Sequence, residues 1–375
     1  MALSMVPGPI IGILSRFFID DLGLTRTEMG AVATGHAFVI MAASLPLGYL
    51  ADRISGRWML VLMLSFVFLG LMTMSFSWSL WSLFVFAGLA GLPSGGGNSA
   101  TNNIIVENVP PGARGWITGI KQAGVQMGVF LAGALLPAMA QALGWRRALA
   151  LWSLMALVGI GFTLAIVPAR PVRRPGKEAL EAGGPVPRAV WWVSVYGVTM
   201  GIGMGAFFAF LPLYAQERVG VSVGLAGMVV AVSGVSGVGA RMVWGRIAER
   251  AGDPIKPLIG VGLLGIGAVA LVWAGSYSAL LMWFGSGLMG IGPGAWMSVG
   301  MFAAISMAGP NRTGTGTAMV MLGFGLGLTI GPVIFGWAVD TTGSYDIPLA
   351  AVLLNFAASV LLMLAWRSRK ARLAV

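Results

Sequence analysis

Residues 48–57 read Gly48-Tyr49-Leu50-Ala51-Asp52-Arg53-Ile54-Ser55-Gly56-Arg57, and residues 245–252 read Gly245-Arg246-Ile247-Ala248-Glu249-Arg250-Ala251-Gly252. Each is a short polar stretch between long apolar runs. The spacings Gly48 to Gly245, Asp52 to Glu249 and Arg53 to Arg250 are all 197 positions. A glycine match is cheap in a chain with 57 glycines, but an acid–arginine pair at a fixed offset is not. Arg114 to Arg312 is 198 positions, and Gly124 to Gly323, Gly128 to Gly327 and Gly144 to Gly343 are each 199. Landmarks that keep their order and offset mark an internal repeat. The longest polar segment, 168–189, lies between the copies, giving halves 1–167 and 190–375.

Composition sets the environment of those halves. Of 375 residues, 57% are hydrophobic and 9% are charged, against roughly 25% charged in a soluble domain. Too little polar surface exists to cover the apolar mass in water, and disorder is excluded for the same reason. There is no cysteine and one histidine, so thiolate chemistry and zinc ligation lack their material. The chain reads as a polytopic helical membrane protein. Apolar runs place helices 1 to 12 at about 2–19, 29–50, 58–76, 80–106, 116–142, 148–167, 190–214, 221–246, 257–275, 279–306, 314–339 and 347–366. Lipid cannot satisfy backbone groups, so runs this long are helices, and they alternate too poorly for barrel strands. Pro7 and Pro9 interrupt a first span of marginal length, which a start further upstream would explain.

Charge gives orientation. Sixteen Lys and Arg residues fall in one set of loops, including Arg53, Arg57, Arg114, Arg250 and Arg312, against Arg26, Arg146, Arg147 and Arg218 in the other. The positive-inside rule puts the first set and both termini in the cytoplasm, which an even span number requires. The net charge of +11 is thus a topology signal, and no nucleic-acid partner is expected. Arginine predominance with abundant Ala and Gly points to a bacterial inner membrane.

The stretch at Gly48 resembles the loop between helices 2 and 3 of the major facilitator superfamily, G-x-x-x-D-R-x-G-R-R. It carries one extra residue before Gly56 and Trp58 in place of a second basic residue. Gly245–Gly252 is similar to the degenerate copy between helices 8 and 9. Glu107 and Arg114 match the family's E-x6-R pattern between helices 4 and 5, and Gly144-Trp145-Arg146 matches its helix 5–6 turn. The antiporter pattern on helix 5, ending G-P-x-x-G-G, is absent. The resemblance covers essentially the whole chain. It implies twelve helices in two parallel-repeat six-helix bundles and transport by alternating access. It also implies a cytoplasmic latch drawn from Asp52, Arg53, Arg57, Glu107, Arg114, Glu249 and Arg250. Read without the resemblance, these are solvated topology charges. Glycines every four residues, at 323, 327 and 331 on helix 11 and at 124 and 128 on helix 5, are expected where the halves meet, as static packing or a sliding surface.

Charges near a bilayer centre cost about 2.5–3.5 kcal/mol, so those within spans mark cavities or interfaces. Lys121 on helix 5, with Gln122 beside it and Gln126 further on, and Arg241 on helix 8 are candidate substrate contacts; snorkelling to the cytoplasmic surface is the alternative. Asn98 and Asn102 share one face of helix 4 and either line a cavity or bond between helices. His36 on helix 2 is a candidate proton-coupling group, or a packed polar residue. Arg16 is four residues before Asp20 and is expected to pair with it. Phe207, Phe208, Phe210 and Tyr214 are read as core, or as lining of an outer vestibule.

No nucleotide-binding motif occurs, no cofactor is expected, and no acid pair or Ser/His/Asp set supports an enzyme. The leading reading is a monomeric secondary transporter of a small solute, with protons as one coupling ion. Cations without carboxylates inside the spans favour an organic or inorganic anion. The alternatives are a drug or metabolite efflux carrier of the same fold and a non-transporting membrane sensor.

Overall fold

The computed structural model describes residues 2–51, 53–110, 114–168, 187–308 and 313–373. Asp52, Arg312 and the linker segment 169–186 lie outside the described residues, as do the side chains of Glu107, Arg114 and Gln122. The observed elements are Ala2–Met5, Pro7–Ile13 and Ser15–Leu22 (helix 1, in three pieces), Arg26–Ala51 (helix 2) and Gly56–Ser75 (helix 3). Leu80–Leu89 and Leu92–Asn108 make helix 4, followed by Arg114–Leu143 (helix 5) and Trp145–Ile166 (helix 6). The second half holds Arg188–Glu217, Val223–Ala251 and Ile255–Trp273 (helices 7 to 9). Helix 10 is Ala279–Ile291 and Trp296–Ala308 about a tight turn at Pro293–Ala295, and helices 11 and 12 are Thr313–Thr342 and Asp346–Leu373. Among the described residues there is no strand. Among the described residues, ten segments are long and apolar enough to cross a bilayer, and helices 1 and 2 are not among them.

Helices 2, 7 and 11 run past their apolar stretches because their polar ends (Arg26, Glu217, Asp340) stay helical, and hydropathy alone does not register a polar helical turn. The breaks have local causes. Proline disfavours helical geometry in the residue before it and lacks an N–H, and helix 1 breaks at Val6, just before Pro7. Helix 10 breaks at Gly292, with φ −94° and ψ −93°, just before Pro293.

The repeat is visible in the backbone. Gly23 and Gly220, 197 positions apart, both adopt positive φ after helices 1 and 7. Gly144 and Gly343, 199 apart, do so after helices 5 and 11. Only glycine takes the left-handed region at little cost, so matched turns hold matched glycines.

The halves meet along three helix pairs: 2 with 11, 5 with 8, and 1 with 7. A Cβ at Gly30 would lie 2.5 Å from the Pro332 carbonyl oxygen, and one at Gly133 the same distance from that of Gly227. Thr34 Oγ1 donates to the Thr329 carbonyl at 2.6 Å. The glycine stripes do not form this seam. Gly323, Gly327 and Gly331 receive Ser194, Val198 and Ile202 of helix 7, inside the second half, and Gly128 receives Val6 of helix 1. A Cβ at Gly124 would meet nothing within 4 Å among the described residues. Helix 11 meets helix 2 through its other face, at Gly325, Thr329, Pro332 and Gly336. Phe207, Phe210 and Tyr214 are buried in the core of the second half, where Phe210 stacks on Phe335 at 4.9 Å.

Candidate functional site

Lys121 and Arg241 sit where the packing between helices 5 and 8 ends. From the Arg-poor face inward, the seam runs through Pro137 with Gly227, Gly133 with Ala231, and Phe130 with Gly234. It reaches Gln126, whose side chain lies over Gly237. Arg241 Nη2 donates to Gln126 Oε1 at 3.4 Å, across the halves, and to the Gly294 carbonyl at 3.3 Å, within its own half. Gly294 lies in the tight turn of helix 10, where the break frees carbonyls from the helical ladder. Trp244 Nε1 donates to the Ile291 carbonyl at 2.8 Å and Ser236 Oγ to that of Gly287 at 2.9 Å. Helix 8 therefore supplies the donors that the broken helix requires.

Lys121 is held by helix 4. Its Nζ donates to Asn102 Oδ1 at 2.5 Å and, more loosely, to Asn98 Oδ1 at 3.4 Å. Asn98 and Asn102 thus use their shared face, and both partners are neutral amides. Asn102 is exposed and Lys121 half-buried. A solvated ammonium with two amides does not belong against lipid, and the group lies toward the ends of helices 4 and 5 near the Arg53 and Arg250 loops. His36 is elsewhere. It is buried, its Nδ1–H donates to the Ala87 carbonyl at 2.8 Å, and its Nε2 lies over Gly8 of helix 1. Its described contacts are with helices 1 and 4, not with the Lys121 or Arg241 groups.

The opposite face is closed by charges. Glu217 of helix 7 accepts from Arg16 Nη1 at 3.1 Å, from Arg26 Nη2 at 2.7 Å and Nε at 3.0 Å, and from Tyr345 Oη at 2.7 Å. Arg16 also keeps the expected pair with Asp20, at 2.8 Å. Burial, reinforced by the adjacent Glu217 carboxylate, pushes the Tyr345 phenol well above its usual range, so it stays a donor. Asp340 of helix 11 accepts from the Thr27 backbone N–H and Oγ1, each at 2.6 Å, and from the Arg26 N–H at 3.3 Å. These are the orphan donors of helix 2's first turn, where a carboxylate also meets the positive end of the helix dipole. Two carboxylates of the second half thus grip helices 1 and 2 of the first. Sequence reading missed both, because an acid near a helix end looks like an ordinary surface charge.

The motif arginines make contacts within one half. Arg53 stacks on the Tyr49 ring at 4.0 Å and donates to its hydroxyl. Arg57 Nη2 donates to the Leu164 carbonyl at 2.9 Å, capping the end of helix 6. Glu249 and Arg250 are exposed at the end of helix 8. The latch residues Asp52, Glu107 and Arg114 fall outside what is described.

The family model described as Major Facilitator Superfamily matches residues 2–292. The chain is 23% identical over 370 residues to the probable sulfoacetate transporter SauU of Cupriavidus necator, covering 90% of this chain and 84% of that one. It is 24% identical over 240 residues to an uncharacterized MFS-type transporter of Mycobacterium tuberculosis, covering 63% of this chain and 54% of that one. Among solved structures it superposes on a bacterial homologue of the human lysosomal transporter Spinster, inward-facing and unoccupied. That match has TM-score 0.78 at 15% identity over 97% of this chain and 92% of the other. Against a peptide transporter POT mutant in complex with alafosfalin, the TM-score is 0.80 at 14% identity, over 99% and 92% of the chains.

Proposed function

Because the chain belongs to the major facilitator superfamily, and is thereby a membrane transporter rather than an enzyme, we propose that it carries a small organic anion bearing a carboxylate or sulfonate. Lys121 and Arg241 are the anion's contacts. Asn98 and Asn102 present the lysine, and Arg offers a planar fork matched to an oxyanion. The basic loops and both termini are cytoplasmic in this reading, in a bacterial inner membrane. The state described is then closed outward by Glu217 and Asp340 and open inward.

The observation that carries the proposal is the Lys121 site: a half-buried ammonium two turns into helix 5 whose partners among the described residues, Asn98 and Asn102, are uncharged. Two neutral amides leave its charge for a ligand. SauU, a probable sulfoacetate transporter, supports the same charge sign. Among the described residues, Asp and Glu sit near helix ends or in loops, which argues against a cationic cargo. Proton coupling remains the proposed energy source, with the outer carboxylates as the groups that protons reach first.

The test is exchange in proteoliposomes preloaded with sulfoacetate or another short sulfonate or dicarboxylate, with Lys121→Gln beside wild type. Trans-stimulated uptake by wild type and at least a tenfold rise in half-saturation for Lys121→Gln are expected. Exchange confined to neutral or cationic solutes, indifferent to Lys121→Gln, would contradict the reading.

A further inference from the structure

We propose that Gln126 occupies the substrate's place on Arg241 in the empty carrier and surrenders it when the anion arrives. This rests on the anion reading above and goes beyond it, by assigning Gln126 a specificity and coupling role between the halves.

Gln126 is 8% exposed, on helix 5 at the deep end of the seam with helix 8. Two glycines of helix 8 make room for it. A Cβ at Gly234 would lie 3.0 Å from the Gln126 carbonyl oxygen, and one at Gly237 would collide with its Nε2. The backbones are thus brought close enough for the short carboxamide to reach Arg241, which also donates to a backbone carbonyl of its own half. An amide oxygen is a neutral acceptor, and at 3.4 Å from Nη2 this one is held loosely. Hydrogen bonds to an ionised acceptor are roughly twice as strong as neutral ones and shorter. A carboxylate or sulfonate oxygen arriving there therefore displaces Gln126 Oε1. The freed carboxamide, turned about its last torsion, presents its N–H groups to the same anion. A direct contact between the halves becomes one made through the ligand. Neutral solutes offer no such gain, so the exchange of partners selects for anions and couples occupancy to the seam that must open.

Gln126→Glu tests this, because it installs a permanent intramolecular anion of the same size. The probe is sulfoacetate, read by exchange kinetics and by ligand-induced shift of the melting temperature. Half-saturation for Gln126→Glu should rise at least tenfold, with the sulfoacetate-induced melting shift lost and the ligand-free melting temperature at or above that of wild type. Gln126→Met keeps the volume without the acceptor or donors and should raise half-saturation several-fold. Half-saturation of Gln126→Glu within twofold of wild type, in protein that melts normally, overturns the role. If that variant does not fold, unchanged half-saturation in Gln126→Met overturns it. Failure of wild type to exchange any sulfonate or carboxylate refutes the anion reading itself, and is seen before either variant is made.

Discussion

Replacing Glu217 by Gln removes one negative charge from the outer closure and leaves a side chain of the same shape. Glu217 is 12% exposed and pairs with Arg16 and Arg26, which are 41% and 35% exposed. Both pairs cross the halves. Ion pairs with a partner this exposed are screened and contribute at most about 1 kcal/mol each. The Tyr345 bond lies within the second half and does not hold the seam. Losing the two cross-half pairs therefore shifts the closed-to-open equilibrium by up to about 2 kcal/mol, or up to about thirtyfold in population. The chain has no cysteine, so a single probe is available without background. Val333 on helix 11 backs onto Gly30 of helix 2, making Val333→Cys a reporter at the seam. Its labelling rate by a membrane-impermeant maleimide added outside follows the open fraction. A rise of ten- to thirtyfold in the Glu217→Gln background is expected, with Tyr345→Phe producing much less. An unchanged rate would refute the assignment of Glu217 as a closure across the halves.

Other perturbations separate the parts of the account. Gly133→Val drives a side chain into the Gly227 carbonyl and should lower exchange at least tenfold with insertion intact. Gly124→Val, with open space around it, should transport as wild type. Asn102→Ala removes the shorter of two bonds to Lys121 and should raise half-saturation three- to tenfold with little change in maximal rate. Arg57→Ala removes the cap on helix 6 and should cost about 1 kcal/mol of stability, read as a lower melting temperature in detergent. It should leave the Val333→Cys labelling rate unchanged, since Arg57 bonds within its own half.

The span pattern was legible because lipid imposes it: about twenty apolar residues with no competing way to satisfy the backbone. The repeat was legible because charged landmarks and turn glycines recur at nearly one offset, 197 to 199 positions. Which face of a helix carries the seam was not. Helix 11 bears glycine on two faces, and periodicity picked out Gly323, Gly327 and Gly331, which pack on helix 7. The seam face, with Gly325, Thr329, Pro332 and Gly336, keeps helical spacing but mixes residue types, so it shows no small-residue repeat. Lys121, Asn98 and Asn102 stood out in sequence because polar groups inside apolar runs demand partners, and Lys121 bonds both asparagines. Glu217 and Asp340 were illegible because their partners across the halves lie 191 to 314 positions away, and nothing local distinguishes them from surface acids. The tight turn in helix 10 was overlooked, although Gly292-Pro293-Gly294 is a breaker sequence by ordinary turn chemistry.

The central claim is reciprocal motion of two bundles about a cationic site. Spin labels at Arg147 and Arg218 report the separation of the halves on the Arg-poor face, and labels at Trp58 and Glu249 report it on the Arg-rich face. All four positions are exposed and outside the proposed site. Distance distributions for each pair, measured in proteoliposomes with and without saturating sulfoacetate, address the claim most directly. The account predicts that the Arg147–Arg218 distance gains a longer population where the Trp58–Glu249 distance gains a shorter one. Distances that stay fixed, or that lengthen together, would contradict it.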